Sequence, residues 1–256
     1  MLQELWAYRG LVWAFSARDL KVKYFQTIFG PLWVLMTPLI TVGVMTFVFG
    51  MMVKIPSDGL PYLLFYLVAI VPWYAFISVF SQATSSLEAQ AGLISKIYFP
   101  RLVIGASYAL NGTVDFLVGY GVSLIFAFYY SLLSWEFVLL MPLLLFIQMA
   151  WALGLGLLLA PYNARYRDVK HMIPLLIQLY YFANPIMYPV TVVPEWARWI
   201  FQINPFAVVI TAYRAALNGH GVDWFSLGLA LLIATMVLFA GSAVFVLKGK
   251  DTVDAL

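Results

Sequence analysis

Charge is what this sequence has least of. Only 10% of its 256 residues are Asp, Glu, Lys or Arg, against about 25% in a soluble domain. Too few charges remain to coat a water-facing surface, and the mean hydropathy is +0.94. The chain therefore reads as an integral membrane protein. Cysteine is absent, which excludes disulfides, thiolate catalysis and thiolate metal sites and leaves the redox compartment open. The two histidines, His171 and His220, are too far apart in sequence to suggest a metal site. No glycine-rich loop ending in Gly-Lys-Ser/Thr is present, so the chain does not hold ATP in the P-loop manner. The net charge of +3, without a long basic run, argues against a nucleic-acid partner. The first residues lack the basic stretch, apolar core and small-residue site of a cleaved leader, so none is expected. Nor do the eleven acids cluster on any aqueous loop, as acid–base chemistry requires.

What is present is a series of apolar runs. A helix needs about 20 mostly apolar residues to cross a bilayer, and six spans are expected, at about 31–52, 62–82, 103–130, 137–161, 172–187 and 225–247. A further apolar stretch, 196–217, is broken by Asn204-Pro205 and preceded by Pro185, Pro189 and Pro194. Its pieces are each too short to cross, and the residue before a proline resists helical geometry. They read as two short helices entering and leaving from one side, tolerable where protein shields the backbone. Residues 1–28 carry Leu5, Tyr8, Val12 and Phe15 at helical spacing, followed by Arg18, Asp19, Lys21 and Lys23. That pattern suits an amphipathic helix in the headgroup plane, or a simple positive anchor for the first span. Six spans put both termini and 11 of the 14 basic residues on one face, leaving Lys54, Arg198 and Arg214 opposite. The cation-rich face is then cytoplasmic. The expected fold is a single all-α polytopic membrane domain over 1–256.

Asp115 lies well inside the third span, with Asn111 four residues before it and Gly105, Gly112 and Gly119 at intervals of seven. An intramembrane acid raises a functional question, but small residues at helical spacing favour close packing with polar groups bonded across it. Aromatics make up 18% of the chain. Tyr62, Tyr66, Trp73, Phe76 and Phe80 share one helical face, and Tyr180, Tyr181, Phe182 and Tyr188 belong to the fifth span. Core packing and interfacial belts explain most of them; a ring-lined pathway for a sugar chain is the alternative. Two loops combine cations and aromatics: Ser95, Lys96, Ile97, Tyr98, Phe99, Pro100, Arg101 between the second and third spans, and 163–168 between the fourth and fifth. Each is either a snorkelling anchor or a docking element.

These stretches in order resemble the transmembrane subunit of ATP-binding-cassette exporters for polysaccharides, the O-antigen, teichoic-acid and capsule permeases. The matching stretches are Arg18-Asp-Leu-Lys-Val-Lys-Tyr, Ile28-Phe-Gly-Pro-Leu-Trp33, Lys96-Ile-Tyr-Phe-Pro-Arg101, Asn163-Ala-Arg-Tyr-Arg-Asp168, Asn184-Pro-Ile-Met-Tyr-Pro189 and Ile203-Asn-Pro-Phe206. They cover nearly the whole chain, and the lipid-linked O-antigen permeases are most similar.

The resemblance implies a homodimer of this chain above two copies of an ATPase subunit. ATP and magnesium would bind to that partner, and this chain would hold no cofactor, metal or catalytic residue. Segment 92–101, with Arg165, Arg167 and Asp168, would couple to the ATPase. Arg9, Arg18, Lys21 and Lys23 would meet the diphosphate of a polyprenyl-linked glycan near the cytoplasmic surface. Trp33, Tyr180, Tyr181 and Tyr188 would line the sugar pathway. Region 184–219, through Pro185, Pro189, Trp196, Trp199 and Pro205, would gate the external exit. The resemblance places the protein in a bacterial inner membrane, in lipopolysaccharide biosynthesis. Alternatives are export of teichoic acid, capsule, lipid or drug on the same scaffold, or a polytopic glycosyl- or phosphotransferase.

Overall fold

The computed structural model describes residues 6–24, 29–94, 99–219 and 221–253, and all regular structure among them is helical. In order come α1 (Arg9–Tyr24), α2 (Trp33–Met45), α3 (Tyr62–Ala89), α4 (Ala91–Ile94), α5 (Leu102–Tyr129), α6 (Trp135–Arg165), α7 (Arg167–Ala183), α8 (Glu195–Ile203), α9 (Pro205–Asn218) and α10 (Trp224–Val253). A short 3-10 turn, Gly30–Leu32, leads into α2, and π-helical turns, Thr46–Met52, extend it.

The core forms around α3, whose residues from Leu64 to Leu87 are mostly buried. Small residues set the approach of its neighbours. A Cβ on Gly112 or Gly119 of α5 would strike Val79 or Val71 of α3 at 2.1 and 2.7 Å, and one on Gly156 of α6 would meet the Ala83 Cβ at 2.5 Å. Gly154 and Gly241 do the same between α6 and α10, where an added Cβ on Gly241 would stand 2.1 Å from the Gly154 carbonyl oxygen. Without a hydrophobic drive between helices in lipid, such close backbone packing is what holds them together.

Helix α3 runs seven residues past the expected end of its span. Its polar tail stays helical because its side chains bond back to its own backbone: Thr84 to the Phe80 carbonyl at 2.7 Å, Ser85 to Ser81 at 2.9 Å, Ser86 to Ala83 at 2.6 Å and Gln82 to Ser78 at 3.0 Å. Such bonds satisfy side chains that otherwise compete with the helix. Of segment 92–101, the first residues belong to α4, Ala91–Ile94, Phe99 and Pro100 are not helical, and 95–98 lie outside the described residues.

Among the described residues, five helical stretches are long and apolar enough to cross a membrane, and the α8–α9 pair, bent by 102°, is of comparable composition. The contacts decide how the pair runs. Thr191, just before α8, donates to the Asp58 carboxylate at 2.7 Å, and Asn218, at the end of α9, donates to the Asp58 carbonyl at 2.8 Å. Both ends of the pair therefore meet the α2–α3 loop. Its break reaches inward, with the Phe206 ring 5.1 Å from that of Phe76 in the middle of α3. This is the re-entrant hairpin expected from Asn204-Pro205. The expected fifth span falls on α7, which is not among those five. Its 17 residues span about 26 Å, short for a bilayer, but Lys170 pairs with Glu88 at the end of α3 while the turn after Ala183 reaches Phe65 at its start through Arg214. The fifth span thus ends as a helix at Ala183 and completes its course as a turn over 184–188.

Helix α1 and the end of α10 lie together at one end of the bundle. Phe15 packs edge-on against Phe99, a Cβ on Gly249 would stand 3.1 Å from Arg101, and Lys248 bonds to Tyr162 at 2.7 Å. On α1, Leu11, Val12 and Phe15 face the bundle while Trp13 is exposed. Apolar residues thus lie on both sides of α1, which suits burial between protein and lipid.

Candidate functional site

The last turn of α3 joins the two loops of mixed cations and aromatics. Leu87 packs with Leu102, Ala160 and Phe245, and Glu88 forms an ion pair with Lys170. Around it stand α4, the start of α5 and the corner between α6 and α7. At that corner Tyr166 is extended, Arg165 lies over its ring at 5.5 Å, and Arg167 and Asp168 open α7. Ser95, Lys96, Ile97 and Tyr98 lie outside the described residues. Phe99 is buried inside its own chain with Val103, Ile104 and Tyr108, and its centroid is 5.6 Å from that of Phe15. Its ring ties α1 to α5 within one chain. One Arg101 guanidinium nitrogen is buried without a hydrogen-bond partner among the described residues, a costly state for a charged donor.

Two polar bridges bind α1 to α5. Ser16 donates to Asn111 at 2.5 Å, and Lys23 pairs with Asp115 at 2.5 Å. Ser16 and Lys23 are two helical turns apart, and Asn111 and Asp115 one, so each pair presents a single face. Asp115 is bonded across a helix contact, as the glycine spacing suggested. Its partner escaped sequence reading because Lys23 was grouped with its neighbours as a phosphate-binding set. That set does not converge. Arg9 to Lys23 spans about 21 Å of helix, Arg9 caps the Trp6 carbonyl, Arg18 pairs with Asp19, and Lys23 with Asp115. Lys21 is exposed.

The aromatic pathway residues also part company. Tyr180 belongs to a closed network: Trp151 Nε1 donates to its hydroxyl at 2.8 Å, the hydroxyl donates to Asn204 at 2.7 Å, Asn204 donates to Asn184 at 2.9 Å, and Asn184 donates to the Tyr180 carbonyl at 2.6 Å. Its ring and that of Tyr181 pack against Trp73. Tyr188 bonds to the Phe182 carbonyl at 3.1 Å. Trp33, 43% exposed, borders a different cavity. Within one chain these four residues therefore do not line a common path; dense ring packing around Trp73 takes Tyr180 and Tyr181 into the core. Of the expected gate residues, Trp196 and Trp199 are 77% and 57% exposed, whereas Pro185, Pro189 and Pro205 are buried.

Sequence reading missed the role of Arg214, treating it only as one of three cations on its face. Buried in α9, its guanidinium donates to the carbonyls of Pro185 at 2.6 Å, Ile186 at 3.0 Å, Phe65 at 3.2 Å and Tyr188 at 3.3 Å. It also lies 3.5 Å from the Phe65 ring centroid. The fork of five donors suits such divergent carbonyls and fixes the hairpin to α3 and to the turn after α7. The signal available was an arginine inside an otherwise apolar helix, where a charge demands partners.

Known proteins are similar to this chain in sequence. A family model described as ABC-2 type transporter matches residues 10–218. The O-antigen export system permease RfbA of Myxococcus xanthus is 26% identical in a 259-residue alignment covering 100% of this chain and 99% of that protein. A Klebsiella pneumoniae O-antigen export system permease RfbA is 29% identical over 231 residues, covering 89% of this chain and 88% of that protein. The polysialic acid transport protein KpsM of Escherichia coli is 22% identical over 246 residues, 91% of each.

Proposed function

The chain belongs to the ABC-2 type transporter membrane family, and on that premise we propose that it exports a lipid-linked O-antigen polysaccharide, driven by ATP hydrolysis in a separate subunit. The observation that carries this reading is similarity to an O-antigen export permease along the full length of both chains. The membrane is the bacterial inner membrane, and the end holding α1, Arg101 and Lys248 faces the cytoplasm. Two features support that orientation: the six-span reading assigns 11 of the 14 cations to that end, and cations favour the cytoplasmic side; the α3 tail offers a rigid base for an ATPase there. Force applied at Arg165–Asp168 passes to α3 through the Lys170–Glu88 pair. Two copies of the chain form the channel; the exposed apolar side chains of α2 and α7, such as Ile40, Val44, Leu175 and Leu179, supply the surface where copies or lipid pack.

A second reading, export of an acidic capsular glycan, is favoured by the similarity to the polysialic acid transport proteins. Deleting the gene and analysing the surface polysaccharide separates the two. Loss of O-antigen with intracellular accumulation of its lipid-linked precursor is the expected result. Unchanged O-antigen with loss of an acidic capsule would transfer the assignment to the second reading.

A further inference from the structure

A small cavity lies where α3, α5, α6 and α9 meet, between Val68 and Pro72 on one side and Tyr120, Ser123 and Tyr213 on the other. Every residue that lines it is buried. The centre of a water-sized sphere can move through about 10 Å³ of it, which is room for one water and little else.

Packing accounts for the Tyr213 ring but not for its hydroxyl. The ring centroid lies 5.7 Å from that of Phe137, 6.1 Å from that of Tyr120 and 6.3 Å from that of Phe116. A phenylalanine would make the same contacts. The Tyr213 hydroxyl is buried and has no hydrogen-bond partner among the described residues. A hydroxyl held out of water without a partner is costly.

The walls around it offer oxygens that can accept. Pro72 has no N–H, so the Val68 carbonyl loses the donor that the residue four positions on supplies in a helix. That carbonyl points along the axis toward position 72, and Val68 and Pro72 both line the cavity. On α5, Ser123 Oγ donates to the Gly119 carbonyl at 3.2 Å, and Tyr120 Oη donates to the Phe137 carbonyl at 2.7 Å. Each of these hydroxyl oxygens can still accept a bond. One donor without an acceptor thus shares a water-sized cavity with three acceptors.

We infer that this cavity holds one structural water. The water accepts from Tyr213 Oη and donates one hydrogen to the Val68 carbonyl and the other to a hydroxyl oxygen of α5, Ser123 or Tyr120. Three bonds are usual for a buried water, and cavities that stay dry are apolar. A proline inside a membrane helix is tolerated where ordered water satisfies the carbonyl it frees. The water also ties the hairpin to α3. Arg214 donates directly to the Phe65 carbonyl. Tyr213, the residue before it, reaches through the water to Val68, one turn further along α3. The hairpin is then joined to the α3 backbone at two successive turns. This water belongs to the chain's own fold and does not depend on what is exported.

The test uses the full chain in lipid nanodiscs. Microsecond X-ray irradiation makes hydroxyl radicals from bound water in place, and mass spectrometry finds the rings they oxidise. Phe116 and Tyr213 are expected to be oxidised roughly tenfold faster than Phe245, which is fully buried away from this cavity. Tyr213→Phe takes one partner from the water and is expected to lower the unfolding temperature by about 2–4 °C. Oxidation of Phe116 and Tyr213 no faster than that of Phe245 would overturn the assignment. So would an unfolding temperature unchanged or raised by Tyr213→Phe, because removing a dry, unpartnered hydroxyl relieves a penalty.

Discussion

Arg214 takes a full charge into an apolar helix, and four backbone carbonyls receive it. Hydrogen bonds to a charged donor are the strong ones, and removing the donor leaves buried acceptors unmet. Arg214→Ala is expected to cost about 3 kcal/mol or more, read as a lowered unfolding temperature in detergent and faster proteolysis of the 184–194 turn. Arg214→Lys retains the charge but not the fork, and falls between the two. The Lys23–Asp115 pair is a milder case, because the Lys23 side chain is 45% exposed. A double-mutant cycle with Lys23→Gln and Asp115→Asn is expected to give a coupling of about 1 kcal/mol at most, and less at high salt. Neither arrangement is legible in sequence. Spacing places Ser16 with Lys23, and Asn111 with Asp115, on common faces, but nothing local says that those faces meet. Arg214 shows only that a partner must exist.

At the scale of elements, the hairpin α8–α9 depends on its break. Asn204 caps α9 by accepting from the Phe206 amide at 3.2 Å while its amide reaches Asn184. Tyr180→Phe removes the acceptor of Trp151 and the donor to Asn204, and is expected to cost about 1–2 kcal/mol, seen as increased hydrogen exchange over 204–208. Helix α10 begins at a cap of a different kind. Asp223 accepts from the Ser226 hydroxyl at 2.6 Å and from the Phe225 and Ser226 amides. These bonds, those of Ser226 first, hold its pKa below the ordinary carboxylate value. Because the folded value is depressed, this contribution is present above the unfolded pKa of about 3.9 and fades as pH falls through the lower folded value. Exchange of the first amides of α10 should rise on acidification below about pH 4, and Asp223→Ala should remove that dependence. The apolar runs and the Asn204-Pro205 break made these elements legible, since each depends on local pattern. The extension of α3 through 83–89 did not show, because its polarity masks a helix whose side chains bond to its own backbone. The end of α7 at Ala183 was hidden for the opposite reason: the apolar run continues into a turn held by Arg214.

For the whole molecule, the proposed function makes α3 the element that would carry force from an ATPase to the hairpin at the far end. Gly154 and Gly241 let α6 and α10 cross closely, and Gly241→Leu should force them apart and cost about 2 kcal/mol or more, seen as loss of protein from the membrane. The absence of native cysteine allows Trp196→Cys or Trp199→Cys to be labelled alone. A bulky maleimide at either exposed position should block export if the hairpin gates the exit, and export that continues after complete labelling would remove the gate from α8. At the other end, Tyr98→Ala with Arg101→Ala should weaken ATPase binding by roughly thirtyfold, the equivalent of about 2 kcal/mol. The central claim is tested most directly by affinity purification of the tagged protein from its native membranes, with mass spectrometry of what accompanies it. The account predicts a stoichiometric subunit bearing a P-loop; a protein that emerges alone after gentle extraction and chemical cross-linking would contradict it.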